Sequence, residues 1–238
     1  MQRPYMDMTD IQKLQKRITS CKKCPRLVKY LREINKKYPD YWCKPVPSFG
    51  DQKAEILIVG LAPGRFGSNR TGRMFTGDSS GNFMYPILHE VGLCGYRRGV
   101  PWHAPTDVND GLVLNNCYIT AVGRCAPPQN KPTPEELKKC FPYFVEELKY
   151  LKNVKVVVAL GKIAFDGYVK WLKTAGVCHG VPLRFSHGAI YKSENLPHVL
   201  IATYHPSRQN TQTGRLTKKM FKQIFEKAIE CCSAYEIH

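Results

Sequence analysis

Four short runs of apolar residues most constrain the fold of this chain. They cover residues 55–60, 117–122, 154–160 and 198–203, and each is nearly continuous in apolar side chains. Such runs are typical of strands that are buried on both faces, as in a parallel sheet. Helical stretches separate them, and strands that alternate with helices predict a three-layer α/β/α fold with a central four-stranded parallel sheet. Helices are predicted over residues 80–92, 134–151, 162–175 and 214–231.

Two further helices are predicted in the N-terminal segment. Thr9 and the following residues fit a capping box, so a helix should begin there and end near Ser20. Pro25 suits the first position of a second helix, which should run to about Lys37. Residues 39–53 are predicted to be loop and 181–193 an irregular hairpin. We expect one domain over residues 1–238.

The charge of the chain is strongly positive. It has 36 Lys and Arg residues against 19 Asp and Glu residues, a net charge of +17. Such a surface attracts nucleic acid or an anionic membrane, although charge also serves solubility alone. No apolar run reaches the ~20 residues that span a bilayer, and the N-terminus lacks the apolar core of a secretory signal. We therefore expect an intracellular, cytoplasmic protein without a membrane partner.

Four of the ten cysteines are spaced like metal ligands. Cys21 and Cys24 form a C-x2-C pair, and Cys125 and Cys140 form a wider second pair. Four thiolates hold either a structural zinc or an iron–sulfur cluster. The uneven spacing favours a [4Fe–4S] cluster, with zinc as the less favoured alternative. Two other possibilities stay open: that the first pair is a redox pair, and that Cys43 competes as a ligand.

Three predicted strands run directly into unusual polar loops, which cover residues 60–78, 123–132 and 204–210. Active sites of α/β folds lie at the carboxyl ends of the strands, so these loops should meet. The first loop is rich in glycine and arginine, as suits close approach to a phosphate-bearing ligand. It is neither a Walker A loop nor a G-x-G-x-x-G loop, because the required Lys and Gly spacings are missing.

Four side chains in these loops are candidates for chemistry. Phe75 could stack on a base or pack in the core, and Asp78 could position water or cap a helix. Asn130 could bind the edge of a base or simply form a turn. His205 ends an apolar strand and is restrained by Pro206, which favours a functional role over a structural one.

Three strings carry a resemblance to a known family. They are GLAPGRFGSNRTGRMFTGDSSG at 60–81, RCAPPQNKPTPEE at 124–136 and YHPSRQNTQTGRLT at 204–217. Together they resemble the uracil-DNA glycosylase superfamily, and most closely its family 5, or type B, enzymes of thermophilic archaea and bacteria. The resemblance extends from Thr19 to about Lys227.

The resemblance implies a monofunctional DNA-repair hydrolase that removes uracil from DNA and leaves an abasic site. It implies double- or single-stranded DNA containing uracil or other deaminated bases, such as hypoxanthine, as the partner. It also implies a [4Fe–4S] cluster on the same four cysteines, and thermophilic origin. We expect a monomer; a sliding clamp is a further partner that the sequence leaves open.

The resemblance also assigns roles to residues. Asp78 would act with water at C1′ and His205 would face uracil O2, with Asn130 as a third catalytic residue. Many superfamily members carry Asp or Asn where this chain has Ala62, so Asp78 is the expected substitute. The substrate-binding set is Gly60, Ala62, Pro63, Gly64, Phe75 and Ser207, and the expected DNA-binding arginines are Arg65, Arg70, Arg73, Arg208 and Arg215.

Two functions of other classes compete with this one. A non-catalytic nucleic-acid-binding module with a four-cysteine metal site would explain the charge and the cysteines. It would not explain why Asp78, Asn130 and His205 all follow strand ends. A nucleotide-binding enzyme could use the 60–67 loop, but no phosphate-binding Lys or ribose-binding acid is placed for it.

Overall fold

The computed structural model describes residues 8–96, 100–178 and 180–234. The strands are β1 (Phe49–Gly50), β2 (Ile56–Gly60), β3 (Cys94–Tyr96), β4 (Leu112–Leu114), β5 (Cys117–Ala121), β6 (Val156–Leu160), β7 (Ile190–Tyr191) and β8 (Val199–Thr203). The α-helices are α1 (Asp10–Thr19), α2 (Pro25–Lys37), α3 (Ser68–Thr71), α4 (Ser79–Glu90), α5 (Pro134–Tyr150), α6 (Lys162–Thr174), α7 (Arg208–Gln212) and α8 (Lys218–Ser233).

The main sheet confirms the predicted parallel core. In the described part of the chain it has the strand order β1-β5-β2-β6-β8-β7, and its four central strands are parallel. These are the four apolar runs of the sequence. The edge strands β1 and β7 are antiparallel to their neighbours. Each has only two residues, too few to show a pattern in the sequence.

The core lies on both faces of this sheet, because successive side chains of a strand point to opposite sides. On β2, Ile56 and Ile58 join the cluster beneath α4 and α8, while Leu57 and Val59 join the cluster beneath α5 and α6. Helices thus cover both faces, which confirms the three-layer α/β/α architecture.

Two predicted elements differ from the structure. Residues 181–193 do not form a hairpin; only Ile190–Tyr191 is strand, and it pairs with β8. The last long helix begins at Lys218 instead of 214, because the side chain of Thr217 caps it by accepting from the Met220 N–H. A separate short helix, α7, precedes it.

The N-terminal helices form as predicted and lie beside the second loop. Thr9 makes both hydrogen bonds of the capping box, and Pro25 occupies the first turn of α2. Leu14 of α1 packs near Tyr143 of α5, and Leu31 of α2 packs near Ala126. Among the described residues, none of the helices has the length and apolar character needed to cross a membrane.

Candidate active site and candidate cluster site

A cleft of about 980 Å³ opens at the carboxyl ends of the parallel strands. All three polar loops contribute to it, as the fold predicts. Its lining includes Gly60 and Phe75 from the first loop, Asn130 from the second and His205 from the third. Residues that lie far apart in the sequence therefore surround one space.

Phe75 forms an apolar wall of this cleft. Its ring lies 5.9 Å from the His205 ring, centroid to centroid. A Cβ at Gly60 would lie 2.9 Å from Phe75 Cζ, so the glycine is what allows the ring to lie against β2. The backbone of Phe75 has a φ of +56°, and its N–H donates to Ser68 Oγ at 2.9 Å. Only 8% of Phe75 is exposed, so the residue both packs in the core and borders the cleft.

Asp78 caps α4 and also borders the cleft. Its Oδ1 accepts hydrogen bonds from the Ser80 and Gly81 N–H groups at 3.0 and 3.1 Å. Its Oδ2 faces the first loop, where a Cβ at Gly67 would lie only 2.0 Å away and one at Gly64 2.9 Å away. No described residue donates a hydrogen bond to Oδ2. Burial raises the pKa of this carboxyl, and the two backbone N–H donors oppose part of that shift.

His205 stands directly beyond β8. Its carbonyl accepts from Asn210 Nδ2 at 2.8 Å, which holds the backbone of the third loop. Gly161, with a φ of +91°, leaves room for the side chain: a Cβ there would lie 3.2 Å from His205 Cβ. Burial lowers the pKa of His205 to about 4, so the imidazole is neutral at neutral pH. Its ring makes no hydrogen bond to any described residue and is free to bind a ligand.

Asn130 is exposed at the rim of the cleft. It ends a 3-10 turn over Pro128–Asn130 and has a φ of +57°, a region in which Asn is favoured among non-glycine residues. Turn chemistry therefore accounts for the residue type, while its place in the lining keeps it available to a ligand.

The other predicted substrate contacts divide into two groups. Ala62, Gly64 and Ser207 line the cleft. Pro63 is buried and is absent from the lining, so it supports the loop from beneath.

The predicted DNA-binding arginines have different environments. Arg65 and Arg208 line the cleft. Arg215 is exposed, with its guanidinium 4.3 Å from the Tyr204 ring centroid. Arg70 is exposed, but its guanidinium closes the first loop by donating to the Phe66 and Gly77 carbonyls. These four stay predictions as phosphate contacts.

The prediction for Arg73 is wrong. Its side chain is only 4% exposed and forms a buried bidentate ion pair with Asp110, at 2.8 and 2.5 Å. Its Nε donates to Thr76 Oγ1 at 2.9 Å. The guanidinium is thus fully occupied inside the protein and cannot reach a phosphate.

The cleft also contains residues that the motifs do not indicate. Tyr30 of α2 lines it, and the Arg65 guanidinium lies 5.8 Å from the Tyr30 ring centroid. Gln129 and Gln209 line it from the second and third loops. Their proximity to Asn130 and Ser207 in the sequence was a signal for these two, whereas nothing in the local sequence marks Tyr30.

A second, smaller cavity brings the four predicted cysteine ligands together. Cys21 and Cys24 reach it from the α1–α2 connection, Cys125 from the second loop and Cys140 from α5. Cys43 lies outside its lining, and its thiol accepts from Asn69 Nδ2 at 3.6 Å. In the part of the chain that the structure describes, no group of three or more His, Cys, Asp or Glu side chains surrounds a single metal-ion position.

The chemistry of this cavity fits an anionic metal–thiolate group. Burial raises the pKa of Cys140 to about 11, and the Arg124 guanidinium opposes part of that shift. Arg124 also lines the cavity, and its Nε is buried without a hydrogen-bond partner among the described residues. A buried donor without an acceptor costs about 1–3 kcal/mol, which an acceptor inside the cavity would offset. Four thiols beside a buried cation form a donor set suited to an iron–sulfur cluster.

Comparisons with known proteins agree with the loop motifs. Residues 47–229 match the Uracil DNA glycosylase superfamily. The chain is 47% identical over 216 residues to a Type-5 uracil-DNA glycosylase of Thermus thermophilus, covering 89% of this chain and 93% of the relative. It is 37% identical over 216 residues to a Type-5 uracil-DNA glycosylase of Pyrobaculum aerophilum, covering 89% of each chain. The strand order, the three loops at one sheet edge and these matches lead to one conclusion: the chain belongs to the uracil-DNA glycosylase superfamily.

Proposed function

We propose that this protein is a DNA glycosylase that hydrolyses the bond between uracil and deoxyribose, the first step of base-excision repair. The names of its relatives support this activity. The observation that carries the proposal is the cleft in which Phe75, Asp78, Asn130 and His205 come together from three loops. A non-catalytic binding module has no need for this grouping.

The cleft accepts a base only after the base leaves the DNA stack. Extrusion costs a few kcal/mol and is cheapest at a mismatch such as G·U. Phe75 offers an apolar ring face to the extruded base, and the amide of Asn130 offers both a donor and an acceptor to its edge. The backbone N–H groups of both residues are held by the protein itself, that of Phe75 by Ser68 Oγ and that of Asn130 by the Pro127 carbonyl.

His205 acts on the leaving base. Breaking the N-glycosidic bond moves an electron pair onto the base, where negative charge spreads from N1 to O2. The N–H of a neutral imidazole can donate a hydrogen bond to O2 and stabilise this charge without transferring its proton. Because the pKa of His205 is lowered to about 4, the ring is in this form throughout the neutral range. One preorganised donor of this kind is worth about 3–4 kcal/mol at the barrier.

Asp78 acts on the sugar. As the base departs, positive charge builds on the deoxyribose around C1′, and a carboxylate nearby stabilises it. Because Oδ1 is held by the N-terminus of α4, Oδ2 is the oxygen left for this task. Water then forms the new C–O bond at C1′ and passes one proton through Oδ2 to solvent, while the departed base gains a proton from solvent. The products are free uracil and an abasic site.

The four cysteine thiols support a cofactor proposal. Cys21, Cys24, Cys125 and Cys140 would hold a [4Fe–4S] cluster, with zinc as the alternative. When bound, the group supplies a cross-link between the N-terminal helices and the second loop. A purified protein with stoichiometric iron and sulfide and a brown colour supports the cluster, whereas a colourless protein with one zinc refutes it.

A single-turnover assay tests the activity. We expect a labelled duplex with one G·U pair to be cleaved only after alkali, which identifies a monofunctional glycosylase. Asp78→Asn and His205→Gln should each slow excision while binding to abasic DNA survives. His103→Gln, at an exposed histidine outside the cleft, is the matched control. Intact G·U and hypoxanthine duplexes from a folded, metal-loaded sample would refute the proposal and favour the binding module.

A further inference from the structure

Arg124 differs from every other cation around the cysteine cavity. Lys23 and Lys139 also line the cavity, but both are exposed, so water screens their charges. Arg124 is 2% exposed, and its charge acts through protein rather than water. It immediately precedes Cys125 in the chain.

The contacts of Arg124 fix its orientation. Nη1 donates to Ser48 Oγ, and Nη2 donates to Glu147 Oε2 at 2.5 Å. Its carbonyl accepts from the Val46 N–H at 2.7 Å. Within the guanidinium, Nη1 and Nη2 therefore have partners among the described residues, whereas Nε is buried without one.

Glu147 completes a buried ion pair. It is 1% exposed, and it accepts hydrogen bonds from Gln15 Nε2 at 2.7 Å and Tyr118 Oη at 3.3 Å. This network holds the carboxylate on the side of Arg124 that carries Nη2. Two opposite buried charges, one adjacent to a cysteine ligand, are thus fixed in place beside the cavity.

We infer that Arg124 is a positioning residue for the cluster, whose Nε–H hydrogen-bonds to cluster sulfur and whose charge, balanced by Glu147, tunes its reduction potential. The inference rests on the proposed [4Fe–4S] cluster. A positive charge favours the more negative, reduced state of a nearby cluster and so raises its potential. A hydrogen bond to sulfur acts in the same direction.

Film voltammetry of the purified, loaded protein tests the electrostatic part. Arg124→Gln should shift the cluster potential to more negative values, and Glu147→Gln should shift it to more positive values. Lys162→Gln, which breaks an exposed ion pair, should leave it unchanged. A purely structural role predicts lower cluster content or lower Tm in both variants without shifts of opposite sign. Shifts of the same sign, or none in fully loaded protein, would overturn the inference.

Resonance Raman spectroscopy of the iron–sulfur stretching bands tests the hydrogen bond. Arg124→Lys keeps the charge but has no Nε–H, so we expect shifted bands with a smaller change of potential than in Arg124→Gln. Unchanged bands would refute the hydrogen bond, and this variant also serves if Arg124→Gln fails to fold. Iron analysis and the G·U assay of the wild type come first. A protein without iron that excises uracil would refute the cofactor proposal and this inference, while the glycosylase proposal would stand.

Discussion

Replacing Gly67 with alanine should displace the Asp78 carboxylate and so disable it, although Asp78 itself is not mutated. A Cβ at position 67 would lie 2.0 Å from Asp78 Oδ2, whereas real Cβ atoms essentially never come within 3.0 Å of such an atom. The carboxylate oxygen must therefore withdraw by about 1 Å, and a misplacement of that size can reduce the rate by about 10²-fold.

The assay for Gly67→Ala is single-turnover excision on the G·U duplex, with Tm measured alongside. We expect the rate to fall by about 10²-fold, and Tm to drop only modestly, because loss of an N-cap costs about 1 kcal/mol. Gly64→Ala, where the new Cβ would lie 2.9 Å from the same oxygen, should have a smaller effect. Gly95→Ala, whose nearest side-chain atom is 4.0 Å away, is the neutral control. Excision at the wild-type rate in Gly67→Ala would refute the role given to Oδ2.

Three other predictions concern pH, charge and the cluster. Because burial raises the pKa of Asp78 and its charged form is required, excision should increase as pH rises through that pKa. His205, neutral above about pH 4, should add no second limb up to pH ~8, and an inflection near 6.5 in the rate–pH profile that disappears in His205→Gln would contradict this. Arg208→Ala should reduce the salt slope of duplex binding by about 0.9, which a salt titration measures. Arg73→Ala should leave that slope unchanged but lower the free energy of unfolding by about 3–5 kcal/mol in chemical denaturation, because it leaves the buried Asp110 carboxylate without its partner. Cys24→Ser should lose iron and cooperative folding together, and a soluble, fully active variant with full iron content would remove the ligand assignment.

The parallel core and the meeting of the three loops could be predicted because both follow from local patterns. An apolar run identifies a buried strand, and parallel strands bring their carboxyl ends to one edge. The capping signal at Thr9 likewise acts within a single turn. The edge strands and the irregular stretch before β7 depend on pairing with distant residues, so no local pattern reveals them.

Arg73 shows why a residue type alone misleads. In sequence it looks the same as Arg65 and Arg70, three arginines in one glycine-rich loop. Only the fold brings Asp110 to Arg73 and turns a candidate phosphate ligand into a buried ion pair. The Arg124–Glu147 pair has the same origin, since its partners come from a loop and a separate helix.

The placement of the four cysteines has a consequence for the order in which the protein matures. Cys21 and Cys24 leave the ribosome early, but Cys140, the last of the proposed ligands, follows Cys24 by 116 residues, which is roughly 6–23 s of synthesis. Until then the first pair must wait as free thiols, open to oxidation or to a competing metal. When the proposed cluster binds, it would close a loop of about 100 residues. Closing a loop of that length lowers the entropy of the denatured state, which corresponds to about 4–5 kcal/mol of stabilisation. The segment that is made first would thus be the last to be secured by the proposed cluster.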